Sequence, residues 1–206
     1  MKPAPQTPGS LHLRLRQATQ QAHLDTERHP LLASLLRPDL DRAAYCRVLQ
    51  AFRSFYLAYE PGLDNGRAAK AACQSLQYQY QPRAQLLADD LQDLGETGGR
   101  SQVYSGTAGF AVQRTPENIL GWLYVLEGAT QGGKVIGPNV SRALGVDETF
   151  GARYFHLYTL NQWRLFLTLM EQCQAAFQQP LVIEGALAAF EHLRTHLDAW
   201  SIKEEA

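Results

Sequence analysis

An all-α fold, built as one bundle, is what this sequence predicts, and three observations carry the expectation. Apolar residues recur at helical spacing through most of the chain. Alternation of the strand type is nowhere sustained. No linker, repeat or shift of composition divides the 206 residues into separate domains. A chain of this length can bury about 70% of its unfolded surface in one core. Hydrophobic residues make up 45% and charged residues 19%, the proportions of a globular rather than a disordered chain.

The elements follow in order. Residues 1–9, with three prolines and no apolar run, are expected to form a disordered leader rather than a signal peptide. The helical domain is expected over 10–202. Ser10 is a plausible cap for a first helix whose stripe is Leu11, Leu15, Ala18 and Ala22, stopped by Pro30. Leu31 to Leu36 makes a short helical turn. Asp41 can cap a longer helix holding Tyr45, Val48, Leu49, Phe52, Phe55, Tyr56 and Tyr59, which Pro61 and Gly62 end. Ala68 to Leu76 has helical spacing. Pro82 opens a helix that runs to Leu94, with Gly95 as its stop. Residues 95–114 read as a loop. Thr115, Pro116 and Glu117 then supply a cap, a proline at the first helical position and an acid in the first turn. That helix is expected to close at Gly137 and Pro138, followed by a short piece to Gly145. Segments around Leu160–Phe177 and Leu181–Trp200 complete the bundle.

Composition excludes several classes of function. A net charge of -1 provides no bulk attraction to nucleic acid or to an acidic membrane. No segment approaches the ~18 consecutive apolar residues of a membrane span. Cys46, Cys73 and Cys173 are odd in number and widely spaced, which argues for a reducing cytoplasm rather than a disulfide framework. No phosphate loop and no nucleophile elbow occurs. His192 and His196 are four apart, yet no Glu-x-x-His pattern accompanies them, and with Glu191, Arg194 and Asp198 around them they read as a solvated face.

Two features remain. The helix after Thr115 carries Gly128, Gly132 and Gly133, and each interior glycine costs roughly 1 kcal/mol of helix stability relative to alanine. Gly128 and Gly132 share a face, with Gly133 beside them, so a flat ligand or another backbone can lie directly against the helix. Clustered glycines also give it a place to kink. The second feature is His23, set on the first helix above His12, Arg16 and Thr19 and one turn before Glu27. By itself it is either a half-exposed histidine with an acidic neighbour, or a metal ligand whose second ring nitrogen Glu27 orients.

Taken together, the two features suit a planar iron porphyrin, which needs one axial imidazole and a face bare of side chains opposite it. Arg16-Gln17-Ala18-Thr19-Gln20-Gln21-Ala22-His23 with Glu27 resembles the first-helix signature of heme oxygenases. Tyr124 to Ile136 resembles their distal helix, particularly in the bacterial branch associated with phytochromes, as do His29 to Leu32 and Tyr45 to Glu60. The resemblance spans about residues 10–200. It implies a heme-oxygenase-like bundle with a kinked, glycine-rich distal helix, in which heme is both cofactor and substrate. O2, with electrons from ferredoxin or a reductase, would open the porphyrin to biliverdin, CO and iron, and the partner this implies for the product is a bilin-binding photoreceptor. His23 would be the metal ligand and Glu27 its partner, with Gly128, Gly132 and Gly133 as the distal wall.

Ala129 departs from the pattern. Animal-type members have an aspartate there that organises distal water, and the bacterial branch commonly has serine. Proton delivery would then fall to backbone groups, Thr130 or water held elsewhere. Gln131 also replaces a usually apolar residue, and Gln20 a basic one. Arg16 is either a propionate partner or a solvated arginine. Arg153, Arg164 and Lys134 are further cations to consider, while Tyr158, Trp163, Phe166 and Phe190 fill the pocket wall or the core. Competing expectations are a heme carrier or sensor on the same fold, motivated by Ala129, and a thiaminase-II-like enzyme that needs no axial histidine.

Overall fold

A computed structural model describes residues 10–66, 78–96 and 115–201. The expected leader, the helix at Ala68 to Leu76 and most of the loop at 95–114 lie outside the described residues. Within them the chain is helical: α1 Leu11–Glu27, α2 Pro30–Ser34, α3 Arg42–Tyr59, α4 Ala84–Asp93, α5 Pro116–Leu144, α6 Gln162–Cys173 and α7 Gln179–Ser201. Two 3-10 segments, Glu60–Gly66 and Tyr154–Leu160, follow α3 and precede α6.

Local chemistry starts several of these helices as expected. Ser10 accepts the Leu13 amide, Asp41 the Ala44 amide and Thr115 the Asn118 amide, each satisfying one N–H that a helix start leaves without a partner. His29 does the same for α2, its Nδ1 accepting from the Leu31 amide at 3.3 Å while Nε2 lies 3.2 Å from Asp198 of α7. The α4 start is different. Pro82 stands outside it, and the cap comes from another element: Glu60 accepts the Arg83 amide at 2.6 Å and the Ala84 amide at 3.3 Å.

The longest helix, α5, corrects the expectation that it closes at Gly137 and Pro138. It runs for 29 residues with Pro138 inside and ends at Gly145, a left-handed cap with φ 70°. An interior proline costs about 3 kcal/mol, and packing offsets it. The Pro138 ring faces solvent, Gly137 is buried against the Phe155 carbonyl, and Val140 is fully buried two residues on.

α5 is the axis of the molecule, crossing α7 backbone to backbone. A Cβ at Gly121 would lie 2.1 Å from the Val182 carbonyl oxygen, and one at Gly185 would lie 2.5 Å from that of Asn118. Only glycine fits either position. The Asn118 amide donates to the Leu181 carbonyl at 3.0 Å and fastens the crossing. Around it Phe55, Tyr59 and Trp122 form an aromatic core.

That core corrects the reading of the two C-terminal histidines as a solvated face. His196 is buried with its ring 5.9 Å from Phe55, and His192 stacks on Trp122 at 5.9 Å and 12°. Their helix turns them inward, leaving Glu191, Arg194 and Asp198 outside. The α1 stripe also differs, since Thr19 and Thr26 are buried and Ala18 is exposed. Both threonines hide their hydroxyls by donating to carbonyls four residues back, at 2.8 Å each, so they behave as small apolar residues.

Candidate heme site

α1 and α5 meet through a cluster of side chains near Thr19 and Tyr124. Burial raises the pKa of the Tyr124 phenol, against the opposing influence of the neighbouring Thr19 hydroxyl and the Arg16 charge. His12, two turns before Thr19, sets its ring 6.2 Å from Tyr124. His23 follows Thr19 by one turn and Gly128 follows Tyr124 by one turn.

On the α1 side His23 is 57% exposed, and its Nδ1 lies 3.6 Å from Glu27 Oε2, a span a water can bridge. The imidazole stands edge-on to Phe190 of α7 at 6.1 Å and 74°, which supports one side of the ring and leaves Nε2 turned away from Glu27. Arg16 is exposed one turn before Gln20. Burial lowers the His12 pKa and the Arg16 charge adds to that effect.

On the α5 side the three glycines separate. Gly132 is exposed, and a Cβ there would meet only Ile136 of its own helix, at 3.9 Å. Gly128 is half-buried, with Trp163 of α6 at 3.8 Å as its nearest neighbour. Gly133 is buried instead, where a Cβ would lie 2.2 Å from the Phe155 carbonyl oxygen. Gly133 thus serves the packing of α5 on the second 3-10 segment, while Gly128 and Gly132 leave a strip of helix bare.

Ala129 is exposed. Thr130 donates its hydroxyl proton to the Glu127 carbonyl at 2.6 Å and accepts from the Gln131 amide at 3.1 Å. Arg153 is not available at this mouth. Its guanidinium binds Asp90 and Asp93, and the buried Asp90 also accepts the Arg153 and Tyr154 amides. Arg164 and Lys134 are exposed.

Behind the strip lies a group that sequence reasoning missed. Glu127, 1% exposed, pairs with Arg83, 2% exposed, at 3.1 Å, in a geometry that brings the charges together without aligning a hydrogen bond. Tyr78 donates to Glu127 at 2.8 Å, Tyr80 to Glu60 at 2.8 Å, and the Arg83 guanidinium lies 4.8 Å from the Tyr80 ring centre. Burial works against the Arg83 charge, but Tyr80 and Glu127 overcome it and hold its pKa well above the ordinary value. Burial raises the Tyr78, Tyr80 and Tyr154 phenols well above theirs. A lone acid inside the apolar run from Leu123 was the available signal.

With this geometry in place, comparison decides the family: the heme oxygenase model matches residues 9–199. The chain belongs to the heme oxygenase family. It is accordingly an oxidoreductase that binds heme and opens the porphyrin to biliverdin, CO and iron. The chain is 27% identical over 175 residues to a heme oxygenase of Xanthomonas campestris pv. campestris (strain 8004), covering 82% of this chain and 98% of that one. The fold resembles heme oxygenase from Neisseria meningitidis, with TM-score 0.70, 20% identity and 93% and 92% of the two chains covered. It also resembles heme oxygenase-1 of the cyanobacterium Synechocystis sp. PCC6803, with TM-score 0.65, 15% identity and the same shares covered. Family and fold favour neither the carrier nor the thiaminase-like expectation. Among the described residues no helix is long and apolar enough to cross a membrane.

Proposed function

We propose that heme lies between α1 and α5, with His23 as the axial ligand of its iron and the bare strip at Gly128 and Gly132 over its other face. The observation that carries this is the pairing of an exposed imidazole with two glycines whose missing side chains no other element fills tightly. A planar ring fits such a strip, whereas a Cβ at either glycine would hold it off. Glu27 orients His23 through Nδ1 and keeps that nitrogen protonated, so Nε2 is the ligating atom. Phe190 limits rotation of the imidazole. Arg16 offers a charge-assisted partner for a propionate at the mouth.

When bound, heme supplies the iron that takes up O2 and the porphyrin that is oxidised. The protein orients the ring and controls where protons and water reach it. Ala129 offers no proton, and Thr130 has its own committed to the Glu127 carbonyl. The Thr130 hydroxyl instead acts as an acceptor and holds the Gln131 amide in place. Electrons come from a ferredoxin or a reductase, and the product suits a bilin-binding photoreceptor. The odd, scattered cysteines and near-neutral charge support a cytoplasmic setting.

Hemin titration followed by optical spectra tests the reading. Wild type should give a Soret band that His23→Ala displaces or removes. Under air with ascorbate the wild-type band should decay as bilin absorbance grows. A band indifferent to His23→Ala overturns the ligand assignment, and a persistent ferrous oxygen-bound spectrum would indicate a carrier.

A further inference from the structure

We propose that Trp163 is the in-plane stop of the heme slot, a positioning residue that decides where along the glycine strip the macrocycle comes to rest. The inference depends on the His23 and glycine reading above and adds a residue to it. The bare strip is not open along its whole length. At Gly132 no other element approaches, but at Gly128 the far edge of the Trp163 indole, Cη2 and Cζ3, stands 3.8 Å from the place a Cβ would occupy. That is ordinary van der Waals contact, so the indole bounds the strip without covering it.

Rings from three helices hold this indole in place. His12 of α1 meets it edge-on at 5.8 Å and 78°, Tyr124 of α5 lies at 5.8 Å, and Phe166 of α6 stacks on it at 5.9 Å and 25°. Phe166 is fully buried, and His12 is itself braced against Tyr124 at 6.2 Å. Displacing the indole would break these contacts together. A flat ring sliding along α5 from the Gly132 end therefore meets a fixed edge at Gly128. A smaller side chain at 163 would lengthen the slot towards Tyr124 and admit a second seat. Which rim position faces the protein interior then becomes a property of Trp163 and of His12 behind it.

The test is proton NMR of the ferric cyanide complex of the full chain with hemin, where each seating yields its own set of heme-methyl resonances. Trp163→Ala is expected to keep the His23-dependent Soret band while changing the ratio of seatings roughly two- to tenfold, the range of one aromatic contact. His12→Ala should shift the ratio in the same direction by less, and Trp163→Phe should restore it towards wild type. Circular dichroism checks that each variant is folded, and if Trp163→Ala is not, His12→Ala decides alone. Folded variants that bind hemin with the wild-type ratio overturn the proposal. No His23-dependent band in wild type overturns the site itself, a failure distinct from an unchanged ratio.

Discussion

A methyl group added at Gly132 would touch only Ile136 of its own helix, whereas one added at Gly133 would be forced against the Phe155 carbonyl oxygen. Two neighbouring glycines therefore answer to different constraints, and crossed measurements separate them. Gly132→Ala should raise stability in urea by up to about 1 kcal/mol, because alanine favours a helix, and should weaken hemin binding. Gly133→Ala should lower stability by about 1–3 kcal/mol or more, because the clash is with backbone that cannot turn aside. The glycine cluster was visible in the sequence, but which glycine faces a ligand was not. That depends on the Tyr154–Leu160 segment, whose approach to α5 leaves no periodic mark in the chain.

The α5 helix carries the bare strip on one side and the Glu127 carboxylate on another, so one element joins the slot to the buried Arg83 pair. Removing one partner of a buried ion pair leaves the other charge without compensation, at a cost of about 3–5 kcal/mol. Glu127→Leu should lower the denaturation midpoint accordingly, while Glu127→Gln, which still accepts from Tyr78, should lower it less. Equal losses in urea melts of the two variants would mean that the missing charge accounts for the whole effect and the Tyr78 hydrogen bond for none of it. The same helix shows how packing overrides local signals. Gly137 and Pro138 are a sound stop signal by propensity, yet the buried neighbours Gly137 and Val140 carry α5 past them to Gly145.

For the molecule as a whole, the inward histidines make the fold sensitive to acid. Burial lowers the pKa of His12, aided by Arg16 and opposed by Glu171, and burial lowers that of His192 against Glu191. The folded state then resists protonation that the unfolded chain accepts. Stability is unaffected above the ordinary imidazole range, falls as pH drops through it, and levels off below the lowered folded values. Urea midpoints recorded across that window should show this slope, and His192→Phe, which keeps a ring on Trp122, should flatten it. A slope unchanged by that variant would assign the acid sensitivity elsewhere. The position of His192 and His196 could not be read from the chain, because the charged residues among them match a solvated helix and only the α5–α7 crossing turns the pair inward.

The sequence by itself determined where α1, α3 and α5 begin, because their capping is local: Ser10, Asp41 and Thr115 each satisfy an amide within three residues. It also carried the resemblance to the family, since His23 with Glu27 and Gly128 with Gly132 lie on single helices, where periodicity fixes the shared face. Only the tertiary structure decided what joins distant segments. Glu60 caps α4, Asp90 takes Arg153 away from the mouth, Arg83 meets Glu127, and Trp163 closes one end of the strip. Each of these contacts depends on how helices cross, and a crossing is set by the fit of whole faces rather than by any residue's neighbours in the chain.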